Sequence, residues 1–111
     1  MNFGELVNKL RTEKRLSVRE LGRLVDVSAM HISNIEKGKS NASPEIVKRI
    51  AAALDANADE LLQASNQVDP EVVGVINSNP KAIPSFLRAA KDLTPGQWEE
   101  LQAQIKKMTG Q

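Results

Sequence analysis

One histidine, no cysteine and no tyrosine leave this sequence short of the side chains that build nucleophile–base pairs, thiolate sites or metal clusters. It also lacks a glycine-rich phosphate loop. The chain therefore reads as a non-enzyme, with no metal and no cofactor expected. What it offers instead is a run suited to hydrogen bonding along a polymer. From Ser28 to Asn41, SAMHISNIEKGKSN sets Ile32 and Ile35 among small, polar or unbranched groups. Asn34 can present its amide to the edge of adenine, His31 can donate or accept, and Ala29 or Met30 can touch thymine methyl groups. Ser28, Ser33, Lys37, Lys39 and Asn41 can reach phosphate oxygens, which fix register without reading bases. This is the chemistry of double-stranded DNA recognition. RNA is less well served, because no aromatic residues are interleaved for stacking.

Such residues work only if one short helix carries them and a second braces it at a steep angle. The spacing predicts that arrangement. Ser17-Val18-Arg19-Glu20 is a capping box opening a helix, and Ser28 opens the next. Leu21, Val25, Val27, Ile32 and Ile35 supply apolar groups on both sides of the bend. Gly22 puts a minimal side chain at the closest approach, and Asp26 sits where a left-handed backbone is expected. Two core helices joined by a turn would explain the apolar positions equally well, but not the small polar outer face. Two residues stay open: His31 as a groove contact, a plain surface residue or, least of all, a metal ligand, and Met30 as a DNA contact or part of the core.

Three more helices complete the first part. One runs from about Phe3 to Arg15, one is capped by Ser43 with Pro44 in its first turn, and one is capped by Asn57. The polar stretch ASNQVD, residues 64–69, then suggests a linker, giving domains at 1–65 and 66–111. A net charge of +1 says little, but residues 1–41 hold eight basic groups against five acidic ones, while residues 42–65 are net acidic. No apolar run is long enough to span a membrane and the N-terminus lacks a signal-peptide core, so a cytoplasmic location is expected.

The segment SVRELGRLVDVSAMHISNIEKGKSNASPEIVKRIAAALDANADELL resembles the Cro/repressor-type helix-turn-helix family, also called the XRE family, over roughly residues 3–65. The resemblance implies an all-α, five-helix lambda-repressor-like domain that binds operator DNA, usually as a dimer. It implies base contacts from Ala29, Met30 and Asn34, phosphate binding by Ser28, and an ion pair between Arg11 and Glu36. Ser17 and Arg19, opening the second helix, complete the candidate DNA contacts. Val18 stands where the family commonly has a phosphate-binding Gln, and Asp26 where it has a turn glycine. Ala29 and Met30 replace long amides found in many relatives, which shifts readout toward methyl contacts and DNA shape.

Beyond residue 65, helices are expected after Asp69-Pro70, after Pro80 or Pro84, and from Thr94-Pro95-Gly96-Gln97, a second capping box. Trp98, Leu101, Ile105 and Met108 form an a/d stripe. With Val72, Val73, Ile76, Phe86 and Leu87 they present more apolar surface than three short helices can bury. The tail either folds back on the first domain or forms a homodimer, and two-fold symmetry favours the dimer. IPSFLRAAKDLTPGQWEEL also resembles the C-terminal segments of short phage-type and stress-response repressors. That resemblance implies a regulatory protein partner or protease acting near Asp92 to Gly96. The competing expectation is an antitoxin-like autoregulator whose tail binds a protein.

Overall fold

The computed structural model describes residues 1–110, and among them it is all-helical, with no strand. The helices are α1 (Phe3–Glu13), α2 (Val18–Val25), α3 (Ala29–Glu36), α4 (Pro44–Ala53), α5 (Ala58–Ala64), α6 (Pro70–Ser78), α7 (Ala82–Ala90) and α8 (Pro95–Thr109). No helix among the described residues is long and apolar enough to cross a membrane. The chain divides into two compact units, Met1–Val73 and Gly74–Gln111.

Each of the first five helix starts is fixed by a short polar side chain. Asn2, Ser17, Ser28, Ser43 and Asn57 accept from the amide three residues on, satisfying one of the donors a helix leaves orphaned. The stops share one device. Arg15, Asp26, Asp55 and Asn66 take left-handed backbone with φ of 58°, 61°, 53° and 60°. After each, the next amide donates five positions back: Leu16 to Arg11 at 3.1 Å, Val27 to Gly22 at 2.8 Å, Ala56 to Ala51 at 2.9 Å and Gln67 to Leu62 at 2.8 Å. None of the four is glycine, so each helix end carries some backbone strain that the returning bond and the packing beneath it must offset.

The caps and stops turn five short helices around one core. Val7, Leu21, Val25, Ile32, Ile35, Val47, Ile50, Leu61 and Leu62 are fully buried in it, and Val18, Val27 and Leu16 pack on its edge. Packing joins α2 to α3, α1 to α3, α2 to α4 and α4 to α5. The α2–α3 approach depends on Gly22, where an added Cβ would sit 2.6 Å from the Val27 carbonyl oxygen and 3.3 Å from the Ala29 nitrogen. Both are backbone atoms and cannot swing aside. Gly22→Ala is expected to destabilise the unit by about 1–3 kcal/mol. Urea unfolding should show a lower midpoint at unchanged slope. Gly96→Ala, whose Cβ meets nothing within 4 Å, serves as the silent control; equal midpoints for the two variants would refute the steric argument.

The polar break at 64–69 lies inside the first unit, because its side chains are tied down. Gln67 Nε2 donates to the Ala42 carbonyl at 2.9 Å and to Ser65 Oγ at 3.1 Å, and Lys48 Nζ reaches Asp69 Oδ2 at 3.1 Å. Asp69 also accepts from the Glu71 amide at 2.9 Å. That backbone bond, followed by Lys48, holds its carboxyl below the usual carboxylate range.

In the second unit, α7 starts after Pro80 without a side-chain cap and carries Pro84 in its first turn, where a missing N–H is tolerated. Thr94 and Gln97 form the capping box of α8, and left-handed Gly110 closes it. Phe86 meets Trp98 edge to face, with ring centroids 6.4 Å apart. Ala90 is the one buried side chain among the described residues of this unit. Val75, Phe86, Leu87, Ile105 and Met108 stay exposed, and Ile76, Trp98 and Leu101 are half-buried. The unit thus has an apolar face without a closed core.

Candidate nucleic-acid interface

Ile32 and Ile35 are drawn wholly into the core, so α3 is held by one side and presents the other. On the presented side Met30 is 73% exposed, which places it outside the core. His31, Ser33, Asn34 and Ala29 are half-buried along the helix flank, while Ser28, Lys37, Lys39 and Asn41 are exposed. Ser28 Oγ accepts from the His31 amide at 3.0 Å. Its hydroxyl proton is left for an outside acceptor. Among the described residues the side chains of Asn34, His31 and Ser33 make no hydrogen bond within the protein, so their donors and acceptors are available.

The loop after α3 is shaped by backbone. The Asn34 carbonyl accepts from Lys39 at 2.8 Å and Ser40 at 3.3 Å, and Gly38 provides the left-handed φ of 76° that the turn requires. Lys39 and Asn41 are carried outward on this loop. Gln67 anchors its far end through Ala42.

A part-buried clamp fixes α3 from behind. Arg11 Nε donates to Glu36 Oε2 at 2.7 Å and Nη2 to Oε1 at 3.0 Å, while Nη1 donates to the Leu16 carbonyl at 2.7 Å. Asn8 Nδ2 adds a bond to Glu36 Oε1 at 2.8 Å. The side chains are only 13% and 7% exposed. The hydrogen bond donated to Glu36 pushes the guanidinium pKa up, against the opposing effect of burial. Gly4 permits this approach, since a Cβ there would lie 2.6 Å from the carbonyl oxygens of Ile35 and Glu36. One bidentate pair thereby joins α1, the α1–α2 loop and the end of α3.

Charge sorts by pairing. In the first unit, Lys9 pairs with Glu13, Arg11 with Glu36, Lys14 with Asp55, Lys48 with Asp69 and Arg49 with Glu45. Among the described residues Arg15, Arg19, Arg23, Lys37 and Lys39 have no such partner. These five lie at the entrance to α2, along α2, and at the end of α3. Glu20, three residues before Arg23, is engaged as a cap and makes no ion pair with it, although the Arg23 charge adds to what holds its carboxyl down. Its Oε1 accepts from the Ser17 amide at 3.0 Å, which holds its carboxyl below the usual range. Ser17 Oγ in turn accepts from Glu20, so Ser17 can offer a phosphate only its hydroxyl proton. Arg15 and Arg23 join the candidate cations here. The i, i+4 spacing of Arg19 and Arg23 along one helix was the sequence signal for the latter.

The nine apolar candidates of the tail are not gathered into one buried cluster. Val72 and Val73 are exposed on the first turns of α6, Ile76 follows on the same helix, and the other six lie on α7 and α8.

Residues 7–61 match the family model described as helix-turn-helix. The chain is 35% identical over 69 residues to the HTH-type transcriptional repressor RghR of Bacillus subtilis (strain 168), covering 61% of this chain and 51% of that protein. It is 31% identical over 67 residues to the HTH-type transcriptional regulator RghRB of the same organism, covering 60% and 48%. The chain thus spans about half the length of the curated relatives it matches. Among solved structures, the P22 c2 repressor in complex with a synthetic operator superposes with a TM-score of 0.55 at 26% identity, covering 58% of this chain and 97% of that one. The SinR/SinI protein complex shares the fold over 98% of this chain and 99% of that one, with a TM-score of 0.53 at 22% identity. Through residues 7–61, with α3 as the presented helix, the chain belongs to the Cro/repressor-type helix-turn-helix family.

Proposed function

We propose that this chain is a sequence-specific transcriptional regulator, a repressor that binds a palindromic operator as a homodimer and lays α3 in the major groove. The observation that carries this reading is the conjunction on one motif of unbonded polar side chains on α3 with five unpaired cations around it. The P22 c2 repressor was solved on an operator and RghR is a repressor, which supports the same role here. Asn34 reads a base, aided by His31 and by methyl contacts from Ala29 and Met30. Ser28, Ser33, Ser17, Arg15, Arg19, Arg23, Lys37, Lys39 and Asn41 hold phosphates.

The two classes of contact respond differently to substitution. Asn34→Ala should cost about 1–3 kcal/mol on the selected site and little on scrambled duplex. Lys39→Ala should weaken both alike and flatten the salt dependence by about one phosphate. With five cations each on a phosphate, the slope of log K against log salt is expected near −4.5 per subunit, at roughly 0.9 per phosphate. Gel-shift titration on a site selected from random DNA measures all three. Equal loss for Asn34→Ala on both duplexes would remove its reading role.

A further inference from the structure

The sequence of α6, PEVVGVINS, is poorly suited to a helix. From Val72 to Ser78 every residue is β-branched, glycine, or a short polar side chain that competes with helical bonding. Packing does not compensate. No side chain of α6 is buried, Val72, Val73 and Val75 are 41–50% exposed, and a Cβ at Gly74 would meet nothing within 4 Å. What holds the helix is local. Asp69 accepts from the Glu71 amide through its side chain and from the Val73 amide, at 3.1 Å, through its carbonyl; Lys48 steadies that carboxylate, and Asn79 returns a side-chain bond to the Val75 carbonyl at 3.0 Å. Beneath these caps Val72, Val73, Val75 and Ile76 favour extended backbone. The first compact unit ends at Val73 and the second begins at Gly74.

We propose that α6 opens locally into an extended segment and is the cleavage site for an endoprotease that accepts small and β-branched aliphatic residues. Water adds across one peptide bond between Val72 and Ile76, leaving a carboxylate on one fragment and an amine on the other. Cleavage there detaches Met1–Val73, with its complete core, from the unit that carries the apolar face. Helix propensity, exposure and capping make α6 the weak point whether or not α3 reads DNA. Because segments with few buried contacts open at low free energy, and proteolysis follows the open population, the cut rate should track the helix–coil balance of α6.

The test is brief digestion of the full chain at submicromolar concentration with two proteases of unlike specificity, elastase and thermolysin, followed by intact mass measurement. The first cut is expected between Val72 and Ile76 with both. Gly74→Ala should slow it about fivefold. Asp69→Ala should speed it about fivefold. The factor should be the same for both proteases, which a change in subsite preference would not produce. A first cut at 38–42 or 90–94, resistance to both enzymes, or wild-type rates in both variants would overturn the proposal.

Discussion

Glu36→Gln is expected to lower the stability of the first unit by about 3 kcal/mol, since removing one member of a largely desolvated pair leaves the other charged and uncompensated. The substitution keeps the shape of the side chain and changes only its charge and half its acceptors. Glu36 receives three donors, from Arg11 Nε, Arg11 Nη2 and Asn8 Nδ2. A glutamine offers one oxygen and turns an NH2 group toward donors. Arg11 keeps its bond to the Leu16 carbonyl but loses the carboxylate it pairs with. Loss of a buried partner costs about 3–5 kcal/mol in general, and the residual exposure of Arg11 places the expectation at the lower end. For a unit of this size that is a fall in Tm of roughly 15 °C. Arg11→Met combined with Glu36→Leu should recover most of the loss, because two apolar groups leave no charge behind. Thermal and urea unfolding of both variants decide it: Glu36→Gln within experimental error of the wild type would show that the pair does not clamp α3.

That clamp also explains a feature of the motif that packing alone leaves open. Ile32 and Ile35 set which face of α3 is buried, but a short helix anchored by two side chains can still tilt about their line. Glu36 at its end, tied to Arg11 of α1, which itself donates to the Leu16 carbonyl before α2, supplies the third point. Three points fix the presented face, and base reading requires a fixed face.

The helix starts were legible in the sequence because capping is local chemistry: Ser17 with Glu20, Ser43 with Pro44, and Thr94 with Gln97 each state their role within four residues. The stops were less so. Asp26 was readable as a left-handed position, but Arg15, Asp55 and Asn66 take the same conformation without the glycine that normally announces it. The returning amide bond and the packing under each turn decide those positions. Pairing was hidden for a related reason. Lys14 meets Asp55 and Lys48 meets Asp69 across long stretches of chain, so the five free cations could be sorted from the paired ones only in three dimensions. Gln67 and Asp69 read as linker by composition, and they serve instead as ties to the α3–α4 loop and to α4. Gly4 went unread, since its need for closeness comes from Glu36, far along the chain.

Removing residues 74–111 is expected to weaken binding to a palindromic operator by about a hundredfold or more, while leaving affinity for an isolated half-site unchanged. Met1–Val73 retains its whole core and its whole α3, so each subunit's own contacts survive the truncation. What is lost is the apolar face of the second unit. Trp98, Leu101, Ile105 and Met108 recur at spacings of three and four on α8, Phe86 packs on Trp98, and Met108 is 85% exposed with Leu87 and Ile105 near half. A short helical pair that buries only Ala90 has little to stabilise it alone, and a second copy offers a self-complementary surface under two-fold symmetry. Two recognition helices joined in this way would reach half-sites about 34 Å apart. The second then binds at an effective concentration near millimolar, which multiplies affinity by about 10² to 10⁴ without any new DNA contact. Leu101→Glu with Ile105→Glu should reproduce the truncation by placing like charges in the seam. Sedimentation should show a full-length dimer at micromolar concentration and a monomer for both variants. A monomeric full-length protein, or a truncated chain that holds the palindrome as tightly as the whole one, would remove the dimer from the mechanism.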